Sequence, residues 1–155
     1  LSILSESGKI YSMVRINGGT LRDIAQRFIT EIRRYNNITG YVESNGIGEA
    51  MYQEISSAIR NTKRFVTTNE TKVTGIRGLI EDTQNGILEL PSKNLFPELY
   101  QEMGAFTYKT SATGKMQFSH PPGMHDDTVM SLMMANSARN TLKIKATSKI
   151  YVGRR

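Results

Sequence analysis

The order of its segments is what most constrains the fold of this chain. Two β-rich runs, residues 1–4 and 9–16, are joined by the turn sequence Ser-Glu-Ser-Gly and predict a β-hairpin. Strand-type and helix-type patterns then alternate along the chain. A hairpin followed by this alternation predicts an α/β fold, with a mixed β-sheet flanked by helices.

Apolar residues spaced three and four apart predict the helices. Helical segments begin after the N-cap Thr20, at the Asn-Gly-Ile-Gly turn of residues 45–48 and near Thr71, and the third ends at Asn85-Gly86. The residues predicted to face inward are Leu21, Ile24, Ala25, Phe28 and Ile32 in the first helix, Ile47, Met51, Ile55 and Ile59 in the second, and Ile76, Leu79 and Ile80 in the third.

The remaining segments continue the α/β pattern. Strands are predicted at residues 38–43, 65–68 and 87–90, a short helix at 97–103 and a strand-like segment at 106–118. A further helix after Asp126 has an inner face, and residues 141–146 (Thr-Leu-Lys-Ile-Lys-Ala) alternate as an outer strand would. The inner face of that helix comprises Val129, Leu132, Met133 and Asn136.

Composition bounds the kind of protein. With 155 residues, 38% of them hydrophobic and 22% charged, the chain is long enough for one well-filled core, and we expect residues 1–155 to form a single domain. The absence of cysteine excludes disulfides, thiolate zinc sites and cysteine nucleophiles, and no apolar run approaches the length of a membrane span. These features are typical of a cytosolic protein.

The net charge is +6, and the excess lies at one end of the chain. Residues 1–127 contain equal numbers of basic and acidic residues, whereas residues 128–155 contain basic residues and no acidic one. The basic tail, residues 139–155, includes Lys143, Lys145 and Lys149. Such a segment commonly contacts polyanions such as nucleic acid, but a merely solvated tail fits the charge equally well.

Two acidic positions are candidates for a catalytic or metal-binding site. Glu43 ends a buried strand and precedes a glycine-rich turn, the place where sites form in open α/β sheets, although an isolated strand-end Glu is more often simply exposed. Asp126 lies one helical turn before Val129 and two before Met133, so helical spacing turns it toward the sheet. Asp127 is rotated away but can swing toward the same place.

A cluster of carboxylates at this point would be unfavourable without a divalent cation. Oxygen ligands without cysteine suit Mg²⁺ or Mn²⁺ better than structural zinc. His125 could be a ligand, a general acid or base, a phosphate contact or an ordinary surface histidine. Lys72, at the start of the third helix, could point at phosphate or be an exposed helical lysine.

Four motifs carry a family resemblance, in order along most of the chain. They are Tyr-Val-Glu-Ser-Asn-Gly at 41–46, Thr-Lys-Val-Thr-Gly at 71–75, Asn-Gly-Ile-Leu at 85–88 and Met-His-Asp-Asp-Thr-Val-Met at 124–130. Together they resemble the C-terminal nuclease domain of the large terminase subunit of tailed bacteriophages. That family has a ribonuclease H-like fold and cuts concatemeric double-stranded DNA during genome packaging, using two metal ions held by acidic residues.

The resemblance implies roles for individual residues. Glu43 matches the family's second acid, and Asp126 and Asp127 match its last acidic pair. These residues would hold two Mg²⁺ or Mn²⁺ ions, one activating water and the other stabilising the leaving 3′ oxygen. Asp126 is expected to face the metals, and Asp127 to support the site or share a ligand position. His125 matches the histidine before the acidic pair, and Lys72 the basic residue at a helix start.

The resemblance also implies a larger assembly. The expected partners are double-stranded DNA, an N-terminal ATPase domain, the portal and the small terminase subunit, in the cytoplasm of an infected or lysogenic bacterium. No Walker-type phosphate-binding motif occurs in the chain itself. The family's first catalytic aspartate lies on a strand before the hairpin that here begins at Leu1, so we expect this chain to lack that strand and one corner of the metal site.

Two other functions stay open on sequence alone. A Holliday-junction resolvase or transposase-like nuclease core would use the same fold and clustered acids, and cleavage of linear, unbranched duplex would distinguish a terminase from it. A catalytically silent DNA-binding or portal-docking module would use the basic tail, and it would bind without a divalent metal and without cleavage.

Overall fold

The predicted alternation of strands and helices is confirmed. The computed structural model describes residues 1–110 and 114–148, with residues 143–148 described by their backbone only. The elements in chain order are β1 (Ser2–Leu4), β2 (Ile10–Met13), α1 (Leu21–Ile32), β3 (Gly40–Glu43), α2 (Gly48–Ala58), β4 (Thr62–Phe65), α3 (Asn69–Gln84), α4 (Pro97–Ala105), β5 (Thr107–Thr110), β6 (Met116–Ser119) and α5 (Asp127–Ser148).

The strands pair two by two. β1 and β2 form the predicted antiparallel hairpin, β3 and β4 are parallel with Glu43 opposite Phe65, and β5 and β6 are antiparallel. Among the described residues, no strand joins the β1–β2 pair to the β3–β4 pair. The predicted mixed sheet is therefore present as separate strand pairs.

Helix α5 organises the core. Its inner face, which includes Leu132 and Met133 at 0% exposure, packs against α3 and α4 in one apolar cluster. The second apolar cluster joins β1, α1 and α2 through Ile3, Ala25, Ile29, Ile32 and Ile55. Because α5 also contacts both β1 and β3, it lies against both strand pairs. Within the described residues, no helix combines the length and apolarity needed to cross a bilayer.

Side-chain caps set where two helices begin. The predicted Thr20 cap is confirmed, because the Asp23 amide donates to Thr20 Oγ1 at 3.2 Å. Thr68 caps α3 in the same way, accepting from the Thr71 amide at 3.1 Å, so α3 starts two residues before the predicted Thr71. The predicted strand at 65–68 is displaced for the same reason, since residues committed to a cap cannot extend β4 beyond Phe65.

Two predicted strands are wrong. Residues 141–146 continue the helix α5, where Thr141 Oγ1 donates to the Ser137 carbonyl oxygen one turn earlier at 2.9 Å. Residues 87–90 contain only an isolated bridge between Glu89 and Lys9. The strand-like segment at 106–118 is the hairpin of β5 and β6.

Two residues predicted to face inward are exposed. Ile47 is 81% exposed because it lies at the N-cap position, before the regular turns of α2 begin. Ile80 is 43% exposed, since successive helical residues are rotated by about 100° and its neighbour Leu79 takes the buried position.

The first residue of the predicted basic tail is buried. Arg139 is 4% exposed, and its Nη2 lies 2.7 Å from Asp82 Oδ2 on α3. Asn136 and Asn140 donate to the same carboxylate oxygen, each at 2.8 Å. Burial alone would raise the pKa of Asp82, but these donors and Arg139 outweigh it and hold the pKa below its ordinary value. Arg139 therefore joins α3 to α5 and is not part of a basic surface.

Candidate functional site

A groove of about 1090 Å³ lies between the β1–β2 pair and the β3–β4 pair. Its lining includes residues of β1, β3, α1, α2 and α5 and of the segment 34–39 between α1 and β3. Two of the predicted acids, Glu43 and Asp127, belong to its lining. The fold thus brings a strand-end glutamate and a helix-start aspartate to one surface, although 84 positions separate them in the sequence.

Along β1, alternate backbone groups point toward this groove. Leu1 and Val14 exchange backbone hydrogen bonds of 2.9 Å across the hairpin, and the Ser5 amide donates to Lys9 O at 2.8 Å. Because the ladder alternates, the backbone N–H and C=O groups of Ser2 and Leu4 point away from β2. Both residues line the groove.

Along β3, the same alternation applies to a parallel pair. The amides of Gly40 and Ser44 donate toward β4, to Asn61 O at 3.2 Å and Phe65 O at 2.9 Å. The backbone groups of Tyr41 and Glu43 therefore point away from β4, and these two residues also line the groove. Both strands thus contribute to the groove residues whose backbone groups are not directed at the partner strand.

Glu43 is held at a tightly built strand end. A Cβ on Gly48 would lie 2.5 Å from the Glu43 carbonyl oxygen, so the predicted glycine-rich turn is required for this close approach. Asn45 then ties the turn to the chain beyond β4, donating to Thr67 O at 2.9 Å and accepting from the Thr67 amide at 2.7 Å. The position of Glu43 is therefore fixed from both sides of the turn.

Asp126 lies just before α5. The Met130 amide donates to its carbonyl oxygen at 2.8 Å, which makes Asp126 the N-cap residue. Its carboxylate is paired with Lys72 Nζ at 2.7 Å, and His120 Nε2 lies 3.8 Å away. Helix α5 begins directly after Asp126, as the sequence predicts, and Asp126 is not among the residues lining the groove.

Lys72 is not the exposed helical lysine that its sequence context allowed. Its side chain is 19% exposed, and Nζ lies 5.2 Å from the centre of the Phe106 ring. The aromatic face and the Asp126 carboxylate together stabilise its positive charge. Lys72 therefore joins the start of α3 to the start of α5.

Asp127 is the first residue of α5, and its side chain is 67% exposed. Arg15 Nη2 lies 3.6 Å from its Oδ2, and His125 Nδ1 lies 3.9 Å from the same oxygen. The His125 side chain is 69% exposed, so it stands at the surface beside Asp127. Both residues are open to a ligand arriving from solvent.

The donor chemistry of the groove fits a hard divalent cation, but the number of donors is small. Glu43, Asp127 and Glu6, which also lines the groove, carry carboxylates, the ligands that Mg²⁺ takes in proteins. Within residues 1–110 and 114–148, no group of three or more His, Asp or Glu side chains is gathered closely enough to hold a metal ion. A further donor is needed to complete a site.

Sequence reasoning missed Glu102 and Arg15. Glu102 is 5% exposed on α4, and its Oε1 lies 3.2 Å from Arg15 Nη1. The signal was its position three residues after Leu99, on the buried face of the helix, where an acid requires partners. Of the lysines in the predicted basic tail, the side chains of Lys143 and Lys145 and the whole of Lys149 lie outside the described residues.

Comparison with known proteins decides the family. Residues 5–139 match the model of the family described as "Terminase RNaseH-like domain". The chain belongs to this family. The large terminase subunit of Thermus virus P23-45 is 26% identical over 133 residues, which cover 85% of this chain and 27% of that protein. This terminase domain therefore spans little more than a quarter of the length of its curated relative.

Solved structures of terminase nucleases share its fold. The crystal structure of the large terminase nuclease from thermophilic phage G20c with bound cobalt has a TM-score of 0.74 and 27% identity, covering 88% of this chain and 72% of that one. The same nuclease with bound magnesium has a TM-score of 0.71 and 27% identity, covering 88% and 71%. These likenesses confirm the predicted ribonuclease H-like α/β fold.

Proposed function

We propose that this terminase domain is the nuclease part of a phage packaging enzyme, a divalent-metal-dependent endonuclease that cuts concatemeric double-stranded DNA. The observation that carries the proposal is the convergence of Glu43 and Asp127 on one groove of a ribonuclease H-like domain. The cobalt and magnesium bound by the G20c nuclease support a divalent cation as the cofactor. Two Mg²⁺ or Mn²⁺ ions, when bound, would activate water and stabilise the leaving 3′ oxygen.

The chain's own residues take distinct parts in this proposal. Glu43 and Asp127 hold the metals from opposite sides of the groove, and Asp126 supports the site through its pair with Lys72. His125, exposed beside Asp127, is placed to contact a phosphate of the DNA. Lys72 itself would approach the DNA backbone only by leaving Asp126.

A further strand would complete the groove. We infer that it lies between β1 and β3, pairs with the backbone groups of Ser2, Leu4, Tyr41 and Glu43, and brings the missing acid. The relatives are longer than this chain, and the residues preceding Leu1 in the complete protein are the occupant that we propose. This strand would turn the separate pairs into one mixed sheet.

The remaining proposals concern the complete protein. Lys143, Lys145 and Lys149 would contact phosphates without reading sequence, so replacing them with glutamine should weaken DNA binding and its salt dependence. The partners proposed are an ATPase domain, the portal and the small terminase subunit. The proposed setting is the cytoplasm of the infected or lysogenic host.

The test uses the complete nuclease domain and plasmid DNA with Mg²⁺ or Mn²⁺. Glu43→Gln and Asp127→Asn should each abolish nicking while the circular dichroism spectrum stays native, because both acids serve the groove and neither is packed in the core. Glu81→Gln, an exposed acid on α3, is the matched control and should cut normally.

Full activity in either acid variant would overturn the site. Metal-independent DNA binding by the wild-type protein without any cleavage would favour a silent binding module instead. Cutting of Holliday junctions but not of linear duplex would favour a resolvase. We expect linear duplex to be cut.

A further inference from the structure

We propose that Glu102 is a positioning residue for the acidic groove, acting on Asp127 through the start of α5 and through Arg15. The inference rests on the proposed function, because it concerns how the same site is held. Its starting point is a carboxylate that the side chains around it leave only 6% exposed. A buried carboxylate is costly unless every oxygen has a partner, so its contacts show what it stabilises.

One oxygen of Glu102 caps α5 from a different helix. Glu102 Oε2 accepts from the Thr128 amide at 2.7 Å, from the Val129 amide at 3.3 Å and from the Thr128 hydroxyl. Thr128 and Val129 are the second and third residues of α5, whose amides an N-cap side chain ordinarily accepts. A negative charge at this end of a helix also interacts favourably with the helix dipole.

This cap from α4 explains why Asp126 is available for another task. Asp126 occupies the N-cap position, where aspartate commonly bonds to the amides of its own helix. Here those amides donate to Glu102, and the Asp126 carboxylate bonds instead to Lys72 Nζ at 2.7 Å. Because Glu102 accepts from these amides, the carboxylate of the N-cap residue Asp126 is free to pair with Lys72.

The other oxygen of Glu102 reaches Asp127 through Arg15. Arg15 Nη1 donates to Glu102 Oε1 at 3.2 Å, and Arg15 Nη2 lies 3.6 Å from Asp127 Oδ2. The planar guanidinium holds its two amino groups in a fixed geometry, so fixing one carboxylate orients the arginine toward the other. Glu102 thus affects the position of Asp127 in two ways. It fixes the start of α5, which carries Asp127, and it orients Arg15, which lies beside Asp127.

The experiment measures metal binding in the complete nuclease domain. Mn²⁺ titration by calorimetry without DNA, and the Mg²⁺ concentration for half-maximal nicking, are compared for the wild type, Glu102→Gln, Arg15→Met and the double variant. Each single variant should weaken Mn²⁺ binding and raise the Mg²⁺ requirement by about tenfold, as loss of a residue that orients a metal ligand does. The double variant should be little worse than either one, because both act through one connection.

The matched control is Gln101→Ala, an exposed neighbour on α4 that should bind Mn²⁺ as the wild type does. Thermal unfolding reports the folded fraction of each variant. Arg15→Met leaves the bonds from Glu102 to α5 in place, so it tests the proposal even if Glu102→Gln fails to fold.

The proposal is overturned if the single variants bind Mn²⁺ within about twofold of wild type, or if their effects add in the double variant. It is also overturned if activity falls only with the folded fraction while the metal requirement stays unchanged. A wild-type domain that neither binds metal nor cuts DNA would overturn the proposed function itself.

Discussion

At the scale of single residues, the adjacent aspartates have different surroundings. Asp126 is 18% exposed and paired with Lys72, whereas Asp127 is 67% exposed and lines the groove with Glu43. Neighbouring residues of a helix point in directions about 100° apart, so two adjacent acids at the start of α5 meet different surroundings. Helical spacing turns Asp126 inward and rotates Asp127 away, with Asp127 able to swing toward the same place, and which of the two acids faces the metals stays a prediction.

The two aspartates should therefore differ under the same substitution. We expect Asp127→Asn to remove cleavage by the complete domain, because it takes a charge from the groove. Asp126→Asn should reduce cleavage only about tenfold, since it disturbs a residue that supports the site. Plasmid nicking rates at saturating Mg²⁺ measure the order, with each variant serving as the control for the other. The opposite order would mean that Lys72 releases Asp126 to the metals.

Whether a residue of the site could be predicted depends on whether its signal is local in the sequence or comes from a contact between distant residues. The place of Glu43 at the end of β3 could be predicted because a strand end and a glycine-rich turn are local signals. The partner of Lys72 was not, because the Lys72–Asp126 pair joins residues 54 positions apart and exists only once α3 packs beside α5. Glu102 was missed for a similar reason, since its cap is made on a helix that follows much later in the chain.

At the scale of elements, sequence patterns located most helices but not all strands. Residues 141–146 alternate between apolar and polar types, yet α5 continues through them, because a helix already stabilised by its buried first turns extends with one hydrogen bond for each added residue. The strand predicted at 65–68 ends at Phe65, because Thr68 caps α3. Strand propensity alone does not show that these residues form a cap. Continuation of a helix decided the first case, and a helix cap decided the second.

The contact between α3 and α5 offers a matched pair of glycines. A Cβ on Gly75 would overlap Met133 Sδ and lie 2.8 Å from Met133 Cγ, and Met133 is fully buried. A Cβ on Gly78, one turn later, would have its nearest neighbour outside the backbone of α3 4.0 Å away, at Asn140 Nδ2. Gly75→Ala should therefore destabilise the domain by about 1 to 3 kcal/mol through overpacking.

Gly78→Ala is the control for this prediction. It should leave stability unchanged or raise it by up to about 1 kcal/mol, since alanine favours a helix more than glycine does. Urea unfolding of both variants and the wild type gives the free energies. A Gly75→Ala protein as stable as Gly78→Ala would show that α3 and α5 are less closely packed than the structure indicates.

At the scale of the whole molecule, the groove between the strand pairs is the main departure from the sequence prediction. Periodicity finds strands but carries no information about which edges meet, so it predicted one mixed sheet. Helix α5 contacts both β1 and β3, and residues of both strands line the groove. A strand between them would satisfy both edges, which is why we assign the groove to the residues preceding Leu1 in a longer form of the protein.

Hydrogen exchange tests this assignment amide by amide. Strand insertion should protect backbone N–H groups that point into the groove, those of Ser2, Leu4, Tyr41 and Glu43, because each then gains a partner. In residues 1–155 alone these amides should exchange rapidly, and in a form extended upstream of Leu1 they should slow by about 100-fold or more. The Gly40 and Ser44 amides are the internal control, since they already donate toward β4 and should be protected in both forms.

The extended form should also cut DNA in Mg²⁺ or Mn²⁺, whereas residues 1–155 alone should show negligible cleavage, because a further carboxylate completes the metal site. Equal exchange at the four groove amides in both forms, or robust cutting by the shorter chain, would show that the groove is complete without a further strand.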